Sequence, residues 1–204
     1  MKCISHSRPS IEEDDIKAVS KVLASGMIAQ GKRVEDFEKA IARQCKVKYT
    51  VAVSSGSAAL HLALLALEIG KKDTVAIPSY SCASLLNVLR YVGATPKFID
   101  IDPETLNISP KDLKKKVTGR VKAVIVPHMF GFPADLFEIK KLGLPIIEDC
   151  ALALGAKYRG KPVGYWGDIS VFSFYATKVI ATGEGGMITT RSKSLADYIK
   201  DIRE

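Results

Sequence analysis

Short apolar runs alternate along this chain with helical patterns, and this alternation restricts the fold more than any other feature. Consecutive apolar or β-branched residues dominate five runs, "YTVAVSSG", "TVAIPSY", "KFIDID", "KAVIVPHMFG" and "LPIIEDC". Strands that are buried on both faces of a parallel sheet have this pattern. Because helical segments separate the runs, we predict a doubly wound α/β layer with a mostly parallel sheet between helices.

The helical segments carry their own boundary signals. In "SIEEDDIKAVSKVLASG", Ser10 is a candidate N-cap, acidic residues fill the first turn, and Gly26 ends the pattern. Further helices are predicted in "RVEDFEKAIARQC", "SAALHLALLALEIG", "CASLLNVLRYVGA" and "LADYIKDIRE". The 204 residues are enough for one domain, with N-terminal helices within about residues 1–45 and no second domain expected.

Composition narrows the class of protein. The chain is 47% hydrophobic and 25% charged, which is typical of a globular protein, and its net charge is +8. Its basic residues are not interleaved with aromatic ones, so no nucleic-acid partner is expected, although the charge favours anionic substrates. Neither a signal peptide nor a membrane-spanning run is recognised, so we expect a soluble, cytoplasmic protein.

The cysteines give no metal-binding pattern. Cys3, Cys45, Cys82 and Cys150 form no CxxC pair, and the three histidines do not cluster with them in the sequence. We therefore expect no metal. Cys82 and Cys150 have apolar or small neighbours and are predicted to be reduced thiols.

Two candidate site segments follow predicted strands. In "VSSGSAALHLAL", a turn ending at Gly56 leads into a helix at Ser57, and such a helix start offers N–H groups and a positive dipole end to a phosphate. An ordinary helix start would look the same. In "LPIIEDCALALGA", Asp149 ends an apolar strand, where its carboxylate would face the ligand crevice or cap the next helix.

The third candidate segment is "SFYATKVIATGEGG", which sets Lys178 among apolar, small and hydroxylic residues. A lysine that forms a Schiff base needs such a setting, whereas a solvated lysine at a strand end does not. Ser173 lies five residues before it. A phosphate site, a carboxylate for a protonated ring nitrogen and an amine for a Schiff base together match pyridoxal phosphate.

On these segments the chain resembles the DegT/DnrJ/EryC1/StrS family of pyridoxal-phosphate-dependent sugar aminotransferases. The resemblance runs from about "RPSIEEDDI" to the last residue and includes "SSGSAALHLALLAL", "VAIPSYSCAS", "VIVPHMFGFPADL" and the long stretch from "IIEDCALALGA" to "TGEGGMITT". It implies the large domain of a type I, aspartate-aminotransferase-like transferase, without the small C-terminal domain of the family.

The resemblance also implies roles for individual residues. Lys178 would hold pyridoxal 5'-phosphate as an internal aldimine and then act as the catalytic base, and Asp149 would pair with the pyridine nitrogen. The implied phosphate clamp consists of Gly56, Ser57, Ala58 and Ser173, and Cys82 stands at the position that would contact the face of the cofactor ring.

The implied reaction moves an amine from an amino acid, usually glutamate in this family, to a keto-sugar linked to a nucleotide. The product would be an amino sugar for surface polysaccharide or a glycosylated metabolite. Members are homodimers with shared active sites, so the expected partners are these substrates and a second subunit or a separate C-terminal half.

Three departures from the family pattern favour an alternative. Leu152 stands where the family usually has Gln or His, and Cys82 stands where many members have a stacking aromatic; Tyr80 or His128 is a candidate replacement. The chain is also shorter than family members. The alternative is a non-catalytic remnant or subunit that acts by association.

Four aromatic residues are expected to pack in the core or to face substrate: Tyr165, Trp166, Tyr175 and Phe130.

Overall fold

The computed structural model describes residues 4–5 and 7–203, so Cys3 lies outside the described residues. It confirms an α/β architecture with a seven-stranded, mostly parallel sheet. The strands, in chain order, are β1 Tyr49–Val53, β2 Thr74–Pro78, β3 Thr95–Ile99, β4 Val121–Pro127, β5 Ile146–Asp149, β6 Lys157–Tyr158, β7 Lys161–Pro162, β8 Ile169–Ser173 and β9 Gly186–Thr190. The helices are α1 Glu13–Ala24, α2 Lys32–Cys45, α3 Gly56–Ala66, α4 Ser84–Val92, α5 Pro110–Lys116, α6 Leu136–Lys140 and α7 Lys193–Ile202, with a 3-10 turn at Met129–Gly131.

The order of strands in the main sheet is β1-β9-β8-β5-β4-β2-β3. Neighbouring strands from β8 to β3 pair in parallel, whereas β9 runs antiparallel to both β1 and β8. The two-residue strands β6 and β7 form a separate hairpin. In the parallel part, the carboxyl ends of β4, β5 and β8 meet at one edge, and there Pro127 pairs with Asp149.

Helices cover both faces of this sheet. On one face, α3, α4 and α7 pack on a cluster that includes Val75, Ile125 and Ile147. On the other face, α5 and α6 pack on a cluster that includes Val124 and Ile146. Adjacent residues of one strand thus belong to opposite clusters, as the two-residue period of a strand requires.

The element boundaries correct several predictions. Helix α1 is capped by Glu12, which forms a capping box with Asp15, and Ser10 does not cap it. Helix α3 ends at Ala66, earlier than the Gly70 that its apolar pattern predicted. Three features were not recognised in the sequence: β8, the antiparallel β9 and the β6–β7 hairpin, whose strands have two residues each.

Helix α1 differs from the other helices in that it has no buried residue. Its apolar side chains Ile16, Val19 and Leu23 are 58%, 60% and 64% exposed, at positions that share one helical face. A 12-residue helix without tertiary packing is marginally stable in water. This face is therefore available to another polypeptide surface.

None of the helices in the described part of the chain is long and apolar enough to span a bilayer.

Candidate functional site

A cleft at the carboxyl ends of the parallel strands brings the predicted site residues together. Its volume is about 120 Å³. The predicted residues that line it are Gly56, Ser57, Cys82, Asp149, Ser173 and Lys178. Ala58 does not line it, and its backbone N–H donates instead to the hydroxyl of Ser55 at 3.1 Å.

One end of the cleft has the geometry of an anion site. Helix α3 begins at Gly56, and the Ser55 hydroxyl caps it by accepting from Ala58. Among the described residues, no acceptor is found for the N–H groups of Gly56 and Ser57, which point out of the first turn. A Cβ at Gly56 would lie 2.8 Å from the Ser173 Cβ, so glycine allows the Ser173 side chain to approach this helix start. Free N–H groups, a helix dipole and a hydroxyl together favour a phosphate.

Asp149 lies at the carboxyl end of β5 and is 8% exposed. Its Oδ1 accepts from the N–H of Ala151 at 3.0 Å, and no donor to its Oδ2 is found in the described part of the chain. Burial raises the pKa of Asp149, and the hydrogen bond from Ala151 is the strongest opposing influence. A turn and not a helix follows Asp149, so its interpretation as a helix N-cap is wrong.

Lys178 lies in a loop that follows β8 and lines the cleft, half-buried. The two ends of this loop are tied together, because Phe174 N–H donates to Gly185 O at 2.9 Å and Thr182 N–H to Phe174 O at 2.9 Å. The fully buried Phe174 ring anchors the loop through an edge contact with Phe37. The buried anchor and the closed loop hold Lys178 at the cleft, whereas a solvated surface lysine would not need them.

The cleft wall near Cys82 is open. Cys82 is an exposed free thiol, in agreement with the predicted reduced state, and Leu152 lines the same cleft. Tyr80 does not line the cleft. His128 lines it, but both of its ring nitrogens are already hydrogen-bonded, to Glu148 and to Ala134. Neither residue replaces the missing Gln or His as a hydrogen-bond donor to a ligand in the cleft.

A buried cluster of His128, Glu148 and Cys150 lies behind the cleft, with ligand atoms within 4.8 Å of one another. The spacing of the histidines and cysteines in the sequence did not indicate this proximity. The polar groups of this cluster already have partners, because Glu148 accepts five hydrogen bonds. Burial also raises the pKa of the Cys150 thiol, which disfavours the thiolate that a metal would need. We therefore do not interpret the cluster as a metal site.

Aromatic residues that were expected to pack in the core or face substrate divide into two groups. Phe130 and Tyr175 are 68% and 47% exposed, so they are not core residues. Trp166 packs against the second cluster, with its ring 5.2 Å from that of Tyr158. Half-buried Tyr165 contacts the edge of Trp166.

A second, larger cavity of about 980 Å³ lies between α5 and α6 on the other face of the sheet. Its basic lining residues are Lys111, Lys114, Lys141, Lys157 and Arg159. It contains none of the residues that converge on the cleft, and Lys141 is paired with Glu138. The smaller cleft is thus the better candidate site, since it combines an amine, a buried carboxylate and an anion-binding helix start.

The fold is that of the large domain of a type I pyridoxal-phosphate-dependent transferase. More specifically, the chain belongs to the DegT/DnrJ/EryC1/StrS aminotransferase family, whose family model matches residues 9–204.

Individual relatives agree with this assignment. The chain is 44% identical over 202 residues to GDP-perosamine synthase of Escherichia coli O157:H7, covering 97% of this chain and 56% of that protein. The crystal structure of the aminotransferase TlmJ from Streptoalloteichus hindustanus has 35% identity and a TM-score of 0.94, covering 98% of this chain and 56% of that one. A Streptococcus pneumoniae sugar aminotransferase in its PLP form has 29% identity and a TM-score of 0.91, covering 97% and 57%.

The chain spans about half the length of the relatives that it matches. The family match and the PLP form of the Streptococcus relative support pyridoxal phosphate as the cofactor.

Proposed function

We propose that this chain forms the cofactor-binding part of a nucleotide-sugar aminotransferase, which moves an amine from an amino acid, with glutamate as the expected donor, to a keto-sugar. The observation that carries the proposal is the convergence of Lys178, Asp149 and the Gly56–Ser173 contact on one cleft. The family match and the similarity to GDP-perosamine synthase support the choice of a sugar as amine acceptor.

The residues of the cleft fit pyridoxal phosphate. The Oδ2 of buried Asp149 has no donor in the described part of the chain, and a protonated ring nitrogen would supply one. Ser173 lies close to Gly56, so its hydroxyl is beside the free N–H groups in the first turn of α3. A phosphate would bind there. When bound, this cofactor supplies the electron sink for amine transfer.

In this proposal each side chain has a distinct task. Asp149 accepts a hydrogen bond from the ring nitrogen and keeps it protonated, and the resulting pair offsets the unfavourable burial of the carboxylate. Ser173 and the first turn of α3 bind the phosphate. Lys178 would hold the cofactor through Nζ and, once released, would carry a proton at that atom as the catalytic base. Cys82 and Leu152, which line the cleft, would offer the cofactor neither a stacking aromatic nor a hydrogen bond.

The substrates and the assembly belong to the same proposal. The net charge of +8 is compatible with an anionic nucleotide-linked sugar. As in the family pattern, we propose a homodimer with shared active sites that works in the cytoplasm and supplies amino sugars for polysaccharide. Residues from a second subunit would then complete the open wall near Cys82.

A second candidate function is that of a subunit that acts by association and does not turn over by itself. The exposed apolar face of α1 favours it, since Ile16, Val19 and Leu23 contact no buried core in this chain. In this case the chain would keep the cofactor cleft, and another polypeptide would cover α1 and complete the substrate site.

The experiment that separates the two candidates is a half-reaction. The purified chain is loaded with pyridoxal phosphate and mixed with L-glutamate, and the 2-oxoglutarate formed is measured, with Lys178→Ala as the control. An enzyme would form 2-oxoglutarate in the parent and not in the variant. Cofactor binding without 2-oxoglutarate would favour the associating subunit, whereas the absence of cofactor binding would contradict the enzyme.

A further inference from the structure

Glu148 is a fully buried carboxylate in β5, whose two preceding residues, Ile146 and Ile147, belong to the apolar core. It precedes Asp149 in β5, and its side chain has no exposed surface. Because neighbouring residues of a strand face opposite sides of the sheet, Asp149 faces the cleft and Glu148 faces the rear. A buried carboxylate is strongly destabilising unless hydrogen bonds compensate it.

Five donors surround this carboxylate. Oε1 accepts from His128 Nε2 at 3.0 Å and from the N–H of Gly164 at 2.8 Å. Oε2 accepts from the N–H groups of Trp166 and Gly167 and from the Ser170 hydroxyl, at 2.9, 2.8 and 2.9 Å. Burial acts to raise the pKa of Glu148, but these hydrogen bonds outweigh it and hold the pKa below its ordinary value. Glu148 is therefore ionised and saturated with donors.

The hydrogen bonds also fix the protonation of His128. Its Nδ1 accepts from the N–H of Ala134 at 3.0 Å, so Nδ1 carries no proton. The proton must then be on Nε2, which donates to Glu148. His128 is a neutral imidazole that serves as a donor on one side and as an acceptor on the other.

This network joins the strands that carry the cleft residues. His128 directly follows β4, and its N–H donates to the carbonyl of Asp149 at 3.1 Å. Ser170 lies in β8, which leads to Ser173 and then to Lys178. The loop before β8 approaches so closely that a Cβ at Gly167 would lie 2.9 Å from the Cβ of Glu148.

We propose that Glu148, together with His128, is a positioning residue that holds the Asp149 carboxylate where it can pair with the cofactor ring nitrogen. This inference rests on the proposed cofactor site. Glu148 and Asp149 share one peptide unit, so a shift of Glu148 turns the backbone of Asp149 as well. The hydrogen bonds of Glu148 on one face of the sheet thus set the direction of the Asp149 carboxylate on the other face.

The test compares Glu148→Gln with Ser170→Ala as the matched control. The Gln side chain keeps the shape of Glu, but its amide nitrogen would face backbone N–H donors and so displace β5. Loss of the Ser170 hydroxyl removes one donor and leaves four. The Kd for pyridoxal phosphate is measured at low temperature on chains with parent-like circular dichroism. We expect this Kd to rise about tenfold or more in Glu148→Gln and about twofold or less in Ser170→Ala.

A second measurement needs no variant and applies even if Glu148→Gln does not fold. The ¹H–¹⁵N signal of the His128 Nε2–H group is recorded in the parent before and after the cofactor is added. We expect an Nε2–H tautomer and a shift of its proton signal when the cofactor binds.

The outcomes separate this inference from the proposed function. If Glu148→Gln binds the cofactor as the parent does, or if the His128 Nε2–H signal does not respond to the cofactor, the positioning role is wrong while the proposed function stands. If the parent does not bind pyridoxal phosphate, the proposed function fails and the positioning role fails with it.

Discussion

Replacing Asp149 by Asn should change cofactor binding and stability in opposite directions. The Asn side chain has nearly the same shape, and its carbonyl oxygen can still accept from the N–H of Ala151. Its second group is an NH₂ donor, which cannot accept a hydrogen bond from a protonated ring nitrogen. A hydrogen bond to a charged group contributes about 1.5–3 kcal/mol, so the Kd for pyridoxal phosphate should rise about 10- to 150-fold.

The same substitution should stabilise the chain in the absence of cofactor. Burial raises the pKa of Asp149 above its ordinary value of 3.8, so the folded chain binds this proton more tightly than the unfolded chain does. Stability is then lost as the pH rises from the ordinary value through the raised one. Asn carries no charge at any pH, so the variant should unfold at a higher urea concentration than the parent above that window.

The assay is a cofactor titration by visible absorbance, paired with urea unfolding of the same samples. Asp73→Asn is the matched control, because Asp73 accepts from the N–H of Gly70 at the opposite edge of the sheet, and its cofactor affinity should be unchanged. Parent-like cofactor affinity in Asp149→Asn would refute the pairing with the ring nitrogen. Weak binding together with an equal loss of stability would point to misfolding instead.

Three further predictions concern other parts of the chain. Gly56→Ala places a Cβ 2.8 Å from the Ser173 Cβ, so it should lower the unfolding free energy by about 1–3 kcal/mol and weaken cofactor binding. Gly70→Ala, whose Cβ meets no atom within 4 Å, should have neither effect. Urea unfolding and cofactor titration check both variants. Cys82→Phe should add ring stacking of about 0.5–1.5 kcal/mol and lower the Kd about 2- to 12-fold, and an unchanged Kd would place Cys82 away from the ring. Ile16→Ser should change the unfolding free energy of the purified chain by less than about 0.5 kcal/mol, since this side chain is exposed, and a larger loss would show that α1 packs on the domain.

Part of the fold was predictable from apolar runs. The runs ending at Pro78, Pro127 and Asp149 are rich in apolar residues, and each forms a central parallel strand, whereas β8 and β9 were missed although they are also buried. The hairpin at Lys157–Pro162 was missed because strands of two residues are too short to show a strand period. Helix α1 begins later than predicted because Glu12 and Asp15 cap each other, which the nearby Ser10 obscures in the sequence.

For the site, the sequence indicated the residues of the cleft but not the groups that support them. Lys178, Asp149 and Ser173 follow or end strands, and topology places such positions at one edge of the sheet. The role of Glu148 depends on three backbone N–H groups of a loop that lies 16 to 19 residues away, and no local pattern encodes that contact. Its signal was a second acidic residue directly before Asp149 in a strand that begins with two isoleucines.

The central claim is that Lys178 is the attachment point of pyridoxal phosphate, and one measurement tests it directly. The purified chain is incubated with the cofactor, reduced with borohydride, digested and analysed by mass spectrometry. The account predicts that the reduced cofactor is recovered on Lys178, and that Lys178→Ala has neither the visible absorption band nor the labelled peptide. A folded parent without the label, or a label spread over surface lysines and unaffected by Lys178→Ala, would contradict it.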